Sequence, residues 1–355
     1  MSLRALVPIA ALSLLLAACG DGDDSDSAAA ETSTGSASAS APAPETTETA
    51  ETDSTDNSTS EGGETVSVTD VVGDKEVPVT ESGIYALDEL MGILLLTLGV
   101  EPDTTAAFFE DPLLAPVLEA RSELVTAGSV ESVAATQPEL ILGIGHPNSI
   151  EIHDDYAGIA PVVLPDFTAS WQDQTRQIAQ VVGRVDEGEA AIAVVEARVA
   201  QLAAEVEAAG LAGQQISIMQ NFEGSYFAYG PTTISGSIAA DLGFVRSEAQ
   251  SSADNFGFIP ISAELVPAET DVPIVVGVLA LSADGLVSLF EDDLVSTDDK
   301  LAADVGDAWF NNTALGAWIV LDDLEAMLFD RGEIADVDAA SGRFDELLAA
   351  IDAAG

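Results

Sequence analysis

Side chains able to do chemistry are sparse in this 355-residue chain, and of few kinds. It has one cysteine, Cys19, and two histidines, His146 and His153, seven positions apart. A bare metal ion such as manganese or zinc needs several converging His, Asp, Glu or Cys ligands, and carboxylates alone show no ligand spacing here. There is no GxSxG elbow, no HExxH pair and no Walker-type phosphate loop, and "GIGHPN" lacks the third glycine of a dinucleotide fingerprint. The acid pairs Asp292–Asp293 and Asp322–Asp323 read as solvated faces, since adjacent helical residues point in different directions. Catalysis therefore has little support. What does recur is a ring or an amide just past a run of strand-forming residues. In the first half these are Phe108, Phe109 and Glu110 after "EPDTTAA", His146 and Asn148 after "LILGIG", and Trp171 after "VVLPDFTAS". In the second half they are Asn221, Phe222, Tyr226 and Tyr229 after "QISIMQ", Arg246 after "DLGFV", and Trp309 and Phe310 ahead of a late helix. With 19 aromatic residues in the whole chain, this crowding points to non-covalent capture of a bulky organic solute, because flat rings cover area at little entropic cost.

The elements that must hold these residues follow from hydrophobic periodicity. "TVSVTD" and "KEVPVT" flank Gly73 and Asp74 and predict a hairpin. "GIYAL", "ELILGIG" and "APVVLP" predict buried strands alternating with helices such as "LDELMGILLLTLG", the pattern of an α/β lobe with a mostly parallel sheet. From about residue 212 a second such lobe follows, with "QISIMQ" and "DVPIVVGVLA" as strands. Between them, residues 183–210 place Ile192, Val195, Val199, Leu202 and Val206 at spacings of three and four, which predicts a helix on the order of 30 Å long. Ligands of open α/β sheets sit beyond the carboxyl ends of the strands, so a cleft between two lobes would gather the rings named above. A serine, a spacer and a glutamate recur ahead of a strand in each half, at Ser129 and Glu131 and again at Ser262 and Glu264, and predict two capped helix starts.

Residues 1–18 have a basic start at Arg4 and an apolar run too short for a membrane span, which is the layout of an export signal. "LAAC", ending at Cys19, resembles a bacterial lipobox, which makes Cys19 the acylated anchor. Residues 20–64 contain twelve acids, no Lys or Arg and no large apolar residue, and read as a disordered acidic tether over 19–64. The remaining 65–355 carry 50 acidic and 9 basic residues, a formal charge of about −41, which repels phosphate backbones and excludes nucleic acid as a partner.

"VSVTDVVGDKEVPV", "SVESVAATQPELILG", "YGPTTISGSIAADLGF", "ISAELVPAETDVPIVV" and "DAWFNNTALGAWIVLDDLEAML", in that order, resemble the periplasmic-binding family for iron siderophores and cobalamin, over roughly residues 65–330. The resemblance implies two Rossmann-like lobes, 65–182 and 211–355, joined by one interdomain helix at 183–210, with modest closure around a cleft. It implies an exported, monomeric solute receptor that is not an enzyme, lipid-anchored to the outer face of the cytoplasmic membrane and serving an ABC permease with its ATPase. It also implies that Glu131 and Glu264 dock onto arginine-lined pockets of that permease. The ligand so implied is a ferric siderophore or similar iron chelate. Family clefts that take anionic chelates use arginines, whereas only Arg246 falls near this one, which favours a neutral or cationic hydroxamate. Cobalamin, haem or a bare metal ion is the alternative within receptors, and a lipid-anchored sensor or adhesion domain is the alternative of another class.

Overall fold

The computed structural model describes residues 64–354 apart from 110, 253–256, 283–284 and 336–338; the leader, Cys19, Glu110 and the tether up to residue 63 lie outside the described residues. The opening hairpin pairs β1 (Thr65–Asp70) with β2 (Gly73–Pro78) in antiparallel register. Asp70 lies opposite Gly73, so the two-residue turn is Val71–Val72 and not the expected Gly73–Asp74. The Asp70 carboxylate fixes it by accepting the amides of Val72 and Gly73.

The first half holds β3 (Ile84–Ala86), β4 (Thr104–Ala107), β5 (Glu123–Thr126), β6 (Leu140–Leu142) and β7 (Val162–Val163), all parallel in the order β5-β4-β3-β6-β7. The chain runs outward from β3 through β4 to β5 and then crosses to β6 on the other side. The loops after β3, β4 and β6 therefore diverge at a switch point, where such sheets leave a crevice. Helix Glu89–Thr97 fills that side and is apolar around its whole circumference because it is buried throughout. Gly92 lets it lie against β4: a Cβ there would come within 2.8 Å of the Thr105 and Leu118 side chains.

The second half holds β8 (Ile216–Phe222), β9 (Ser225–Tyr229), β10 (Phe258–Ile261), β11 (Ile274–Val278), a ribbon of β12 (Ala280–Ser282) and β13 (Gly285–Val287), and β14 (Leu301–Val305). Its main sheet has the order β10-β9-β8-β11-β14. β8, β11 and β14 run parallel, while β9 runs antiparallel to both neighbours. The linking helix spans Val185–Ala208 and buries Ile192, Val195, Leu202 and Val206, the face its periodicity predicts.

One further local expectation is corrected. Ser129 caps helix Val130–Thr136 as read, but the second helix starts later, at Val266. Pro267 has no amide to donate and is tolerated only in a first turn, so Ser262 and Glu264 fall in the preceding turn, closed by the Leu265 amide on the Ser262 carbonyl. The C-terminal helix Ala340–Ala354 also reaches beyond the second half: Arg121 of the first half pairs with Asp345 at 2.5 Å and lies over the Phe344 ring. One hydrophobic cluster runs through both halves, joining Leu90, Ile93, Leu114 and Leu118 to Leu315, Ile319 and Phe344. Any hinge motion between the halves has to preserve or break that packing.

Candidate functional site

The crevice is built from loops that the strand ends present. After β4, the amides of Phe108, Phe109 and Asp111 all donate to the Glu89 carboxylate, at 3.0, 3.0 and 3.3 Å. Glu89 is only 1% exposed and stands in the first turn of its helix, where a negative charge is favoured. Burial nonetheless pushes its pKa up, with the three amides opposing the shift. The next carboxylate along, Asp111, accepts the amides of Leu113 and Leu114 and, across the crevice, the Asn311 side-chain amide at 3.1 Å. Beside Glu89, the capping carboxylate of Asp88 takes the amides of Met91 and Ile144, so it ties the helix start to the loop after β6, and burial lifts its pKa from 3.8 to about 7.

On this frame the rings form a continuous series. Phe108 meets Phe109 with centroids 5.0 Å apart, Phe109 meets His146 at 6.3 Å, and His146 meets Phe167 at 5.7 Å. Phe167 then touches Phe310 at 5.9 Å, which carries the series from the first half to the second. Phe310 meets Phe258 at 4.8 Å, and Phe258 meets Tyr229, its cross-strand partner, at 5.2 Å. These are edge or tilted contacts, the arrangements aromatic quadrupoles prefer. His146 caps the helix that follows it, its Nδ1 accepting the Asn148 amide, and burial holds its pKa below the usual value, so the ring is neutral at pH 7. A cavity of about 300 Å³ opens beside this series, walled by Glu89, Phe109, Asp111, Gln220, Phe222, Tyr229, Phe258, Phe310 and Asn311. No lysine or arginine lines it.

The sequence-predicted residues thus divide. Phe108, Phe109, His146 and Tyr229 join the ring series, and Phe222 lines the cavity with 45% of its surface exposed. Asn148 is exposed on the short helix behind His146. Trp171 is nearly buried and walls a second cavity, against the linking helix. Trp309 is 1% exposed and donates its indole N–H to Asp323 at 2.8 Å, so the core needs it, and its neighbour Phe310 faces the cleft instead. That contact also corrects the reading of Asp322–Asp323 as a solvated pair: Asp323 is 1% exposed and burial lifts its pKa to about 6. Tyr226 and Asn221 are cross-strand partners that both hold Asp292 on the far side of β8 and β9, and the Asp292 contact pushes the Tyr226 hydroxyl up to about 12. Arg246 turns inward, donating to the Tyr229 carbonyl and to Gln250, and burial lowers its pKa to about 10. Glu131 and Glu264 are both exposed.

Sequence reasoning missed Phe167, Phe258, Gln220, Glu89, Asp111 and Asn311. Phe167 lies inside the quoted "PDFTAS" and was legible as a loop ring; Phe258 depends on a strand register that no local pattern reveals.

A family model described as "Periplasmic binding protein" matches residues 91–282, more than half of the chain. Among solved structures, the FhuD protein from S. pseudintermedius is 18% identical with a TM-score of 0.62, over 75% of this chain and 98% of that one. FhuD2 from Staphylococcus aureus with bound ferrioxamine B is 17% identical with a TM-score of 0.59, over 70% and 98%. The siderophore periplasmic binding protein from the fuscachelin gene cluster of Thermobifida fusca is 22% identical with a TM-score of 0.55, over 70% and 97%. No curated protein matches the sequence.

Proposed function

This chain belongs to the periplasmic binding protein family, whose members bind solutes and do not transform them, and we propose that it is the receptor of an ABC importer that captures a ferric hydroxamate siderophore between its two halves and hands it to the permease. The observation carrying the reading is the ring series, which passes from His146 and Phe167 to Phe310 and Phe258 across the boundary between the halves. A site walled by rings with a few amides, Gln220 and Asn311, suits a bulky chelate with an apolar periphery and carbonyl acceptors. The absence of cations from the lining, with Glu89 and Asp111 present, disfavours an anionic chelate, which would be desolvated without a counter-charge. The fold it shares with the ferrioxamine B-bound neighbour supports the same solute class.

In this reading Cys19 is the lipidated end, the acidic tether sets the reach from the outer face of the membrane, and Glu131 and Glu264 meet the permease. Both glutamates are exposed and free to make an electrostatically steered contact. Among the described residues no group of three or more His, Cys, Asp or Glu is arranged to hold a bare ion. The test is a titration of tryptophan fluorescence against ferric hydroxamates, ferric catecholates, haem and corrinoids. Quenching is expected through Trp171 or Trp309, and with hydroxamates alone. Binding of a catecholate in preference to every hydroxamate would overturn the solute assignment, and silence across the panel would overturn the receptor.

A further inference from the structure

Phe310 is followed by two asparagines, and all three residues reach from the second half to the first. The Phe310 ring touches Phe167. The Asn311 carboxamide donates to Asp111 at 3.1 Å, and the Asn312 carboxamide donates to the Ala169 carbonyl at 2.9 Å. We propose that Asn311 and Asn312 are positioning residues, which clasp the two halves at the solute-binding separation before any solute arrives. The inference deepens the receptor reading and rests on it only where binding rates are read.

Both sides of the clasp are braced. In the second half, Thr313 caps helix Ala314–Phe329, and its amide donates to the Asn311 carbonyl at 2.7 Å. Gly316 lets that carbonyl seat against the helix, since a Cβ there would stand 1.9 Å from its oxygen. In the first half, one Asp111 oxygen accepts the Leu113 and Leu114 amides, which leaves the other for Asn311. The Ala169 carbonyl is held by the Gln174 side chain at 3.1 Å, and the same carboxamide holds the Asp166 carbonyl.

The two catches lie on the loops after β4 and β7, which leave the sheet on opposite sides of β3. One bond would leave a pivot; two bonds from adjacent residues to separate loops remove it. The apolar cluster shared by the halves does not fix the angle alone, because apolar contact is non-directional and tolerates sliding. A hydrogen bond, by contrast, is lost beyond about 3.5 Å. Asn311 and Asp111 are 3% and 7% exposed, so water competes little for their bond. Asn311 lines the ring-walled cavity and Asn312 the cavity against the linking helix, so the clasp is set between two open spaces.

For the test, the full chain, with Cys19 replaced by serine, carries spin labels on cysteines introduced at Ala135 and Ala268, exposed positions of the first and second half. Pulsed electron resonance reads the distance between the halves, and the probe solute is ferrioxamine B, the chelate of the FhuD2 neighbour. The intact clasp should give one narrow distribution that ferrioxamine B leaves in place. Asn311→Leu with Asn312→Leu should broaden it in the free protein and recover it on binding. With the competent geometry populated about a tenth of the time, association should slow about tenfold while dissociation stays within about twofold. Asn311→Asp sets carboxylate against carboxylate and should broaden the distribution likewise. Adding Asp111→Asn restores the bond with its roles reversed and should narrow it again. Asn312→Leu leaves the Ala169 carbonyl with its Gln174 donor, so this variant keeps its melting temperature and should still broaden the distribution in part. A wild-type distribution in the free Asn312→Leu or double-leucine variant, or a wild type that closes on ferrioxamine B, overturns the clasp. Faster dissociation at unchanged association would make the asparagines solute contacts and overturn it equally. A wild type that does not bind ferrioxamine B overturns the hydroxamate assignment, while the free-protein distances still decide the clasp.

Discussion

Among the described residues, the contact between Phe167 and Phe310 carries the ring series from one half to the other, and it can be perturbed from either side. Phe310 has a second ring neighbour, Phe258 at 4.8 Å, and Phe167 has His146 at 5.7 Å. Aromatic pairs contribute about 0.5–1.5 kcal/mol beyond the area they bury. Phe310→Ala forfeits two such pairs and part of a half-buried ring, and should destabilise the fold by about 2 kcal/mol; Phe167→Ala should cost about as much. Because the two share one contact, the double variant should be less destabilised than the sum by about 1 kcal/mol, a coupling that chemical denaturation resolves in a double-mutant cycle. Solute binding gives a second reading of the same pair. If the chelate parts these rings, the coupling that stabilises the free protein is lost on binding, and each single variant escapes that cost while losing a ring wall. The affinity cycle should therefore show coupling of opposite sign to the stability cycle. Additive stabilities would mean that the rings do not interact across the halves, and a solute affinity unchanged in all three variants would refute the placement of the solute against the series.

Two further predictions concern charge. Burial holds the Asp88 proton in the folded state to about pH 7, against 3.8 unfolded, and the Asp323 proton to about pH 6. A raised folded pKa means the native state binds more protons than the unfolded state between about pH 4 and pH 7, so stability falls as pH rises through that window. For Asp88 the span is worth about 4 kcal/mol, which should appear as a melting temperature several degrees higher at pH 5 than at pH 8; Asp88→Asn should flatten this slope, and a variant with the wild-type slope would refute the assignment to Asp88. In the second, Glu131→Lys with Glu264→Lys should leave solute affinity unchanged but depress uptake by cells, since both side chains are exposed and neither lines the ring-walled cavity; normal uptake by the double variant would remove them from the permease contact.

Periodicity made the framework legible. The alternation of strand and helix, the hairpin and the linking helix at Val185–Ala208 all follow from where apolar residues recur. The site was legible in outline only, because a loop ring's position in sequence does not give its direction. Tyr226 and Tyr229 are three apart on β9, and side chains three apart on a strand face opposite sides. Only one of them could reach the cleft, and strand parity alone could have said so. Trp309 and Phe310 are adjacent at a 3₁₀ turn, where consecutive residues diverge, and the choice fell to Asp323, the buried acceptor that holds the indole. Glu89 escaped notice for a different reason. A glutamate at a helix start normally serves that helix, and its service to the loop after β4 exists only because parallel pairing brings that loop alongside.

The distribution of cations gives the acidic composition a consequence at the site. Of the nine basic residues in 65–355, eight form ion pairs: Lys75, Arg121, Arg176, Arg184, Arg198, Lys300, Arg331 and Arg343. The ninth, Arg246, is partly buried and donates through one nitrogen to the Tyr229 carbonyl and to Gln250, while its Nε and Nη1 have no hydrogen-bond partner among the described residues. None of the nine lines either cavity. A solute entering there meets the field of about 41 excess negative charges with low-dielectric walls around it. Such a field speeds the encounter with a cation and slows that with an anion, and salt erodes both effects because the Debye length falls to about 8 Å at physiological ionic strength. The association rate of a cationic chelate should therefore fall as salt is added, while that of its neutral analogue should barely change. Stopped-flow fluorescence in rising sodium chloride measures both, and equal salt dependence for the two would show that the acidic surface plays no part in solute selection.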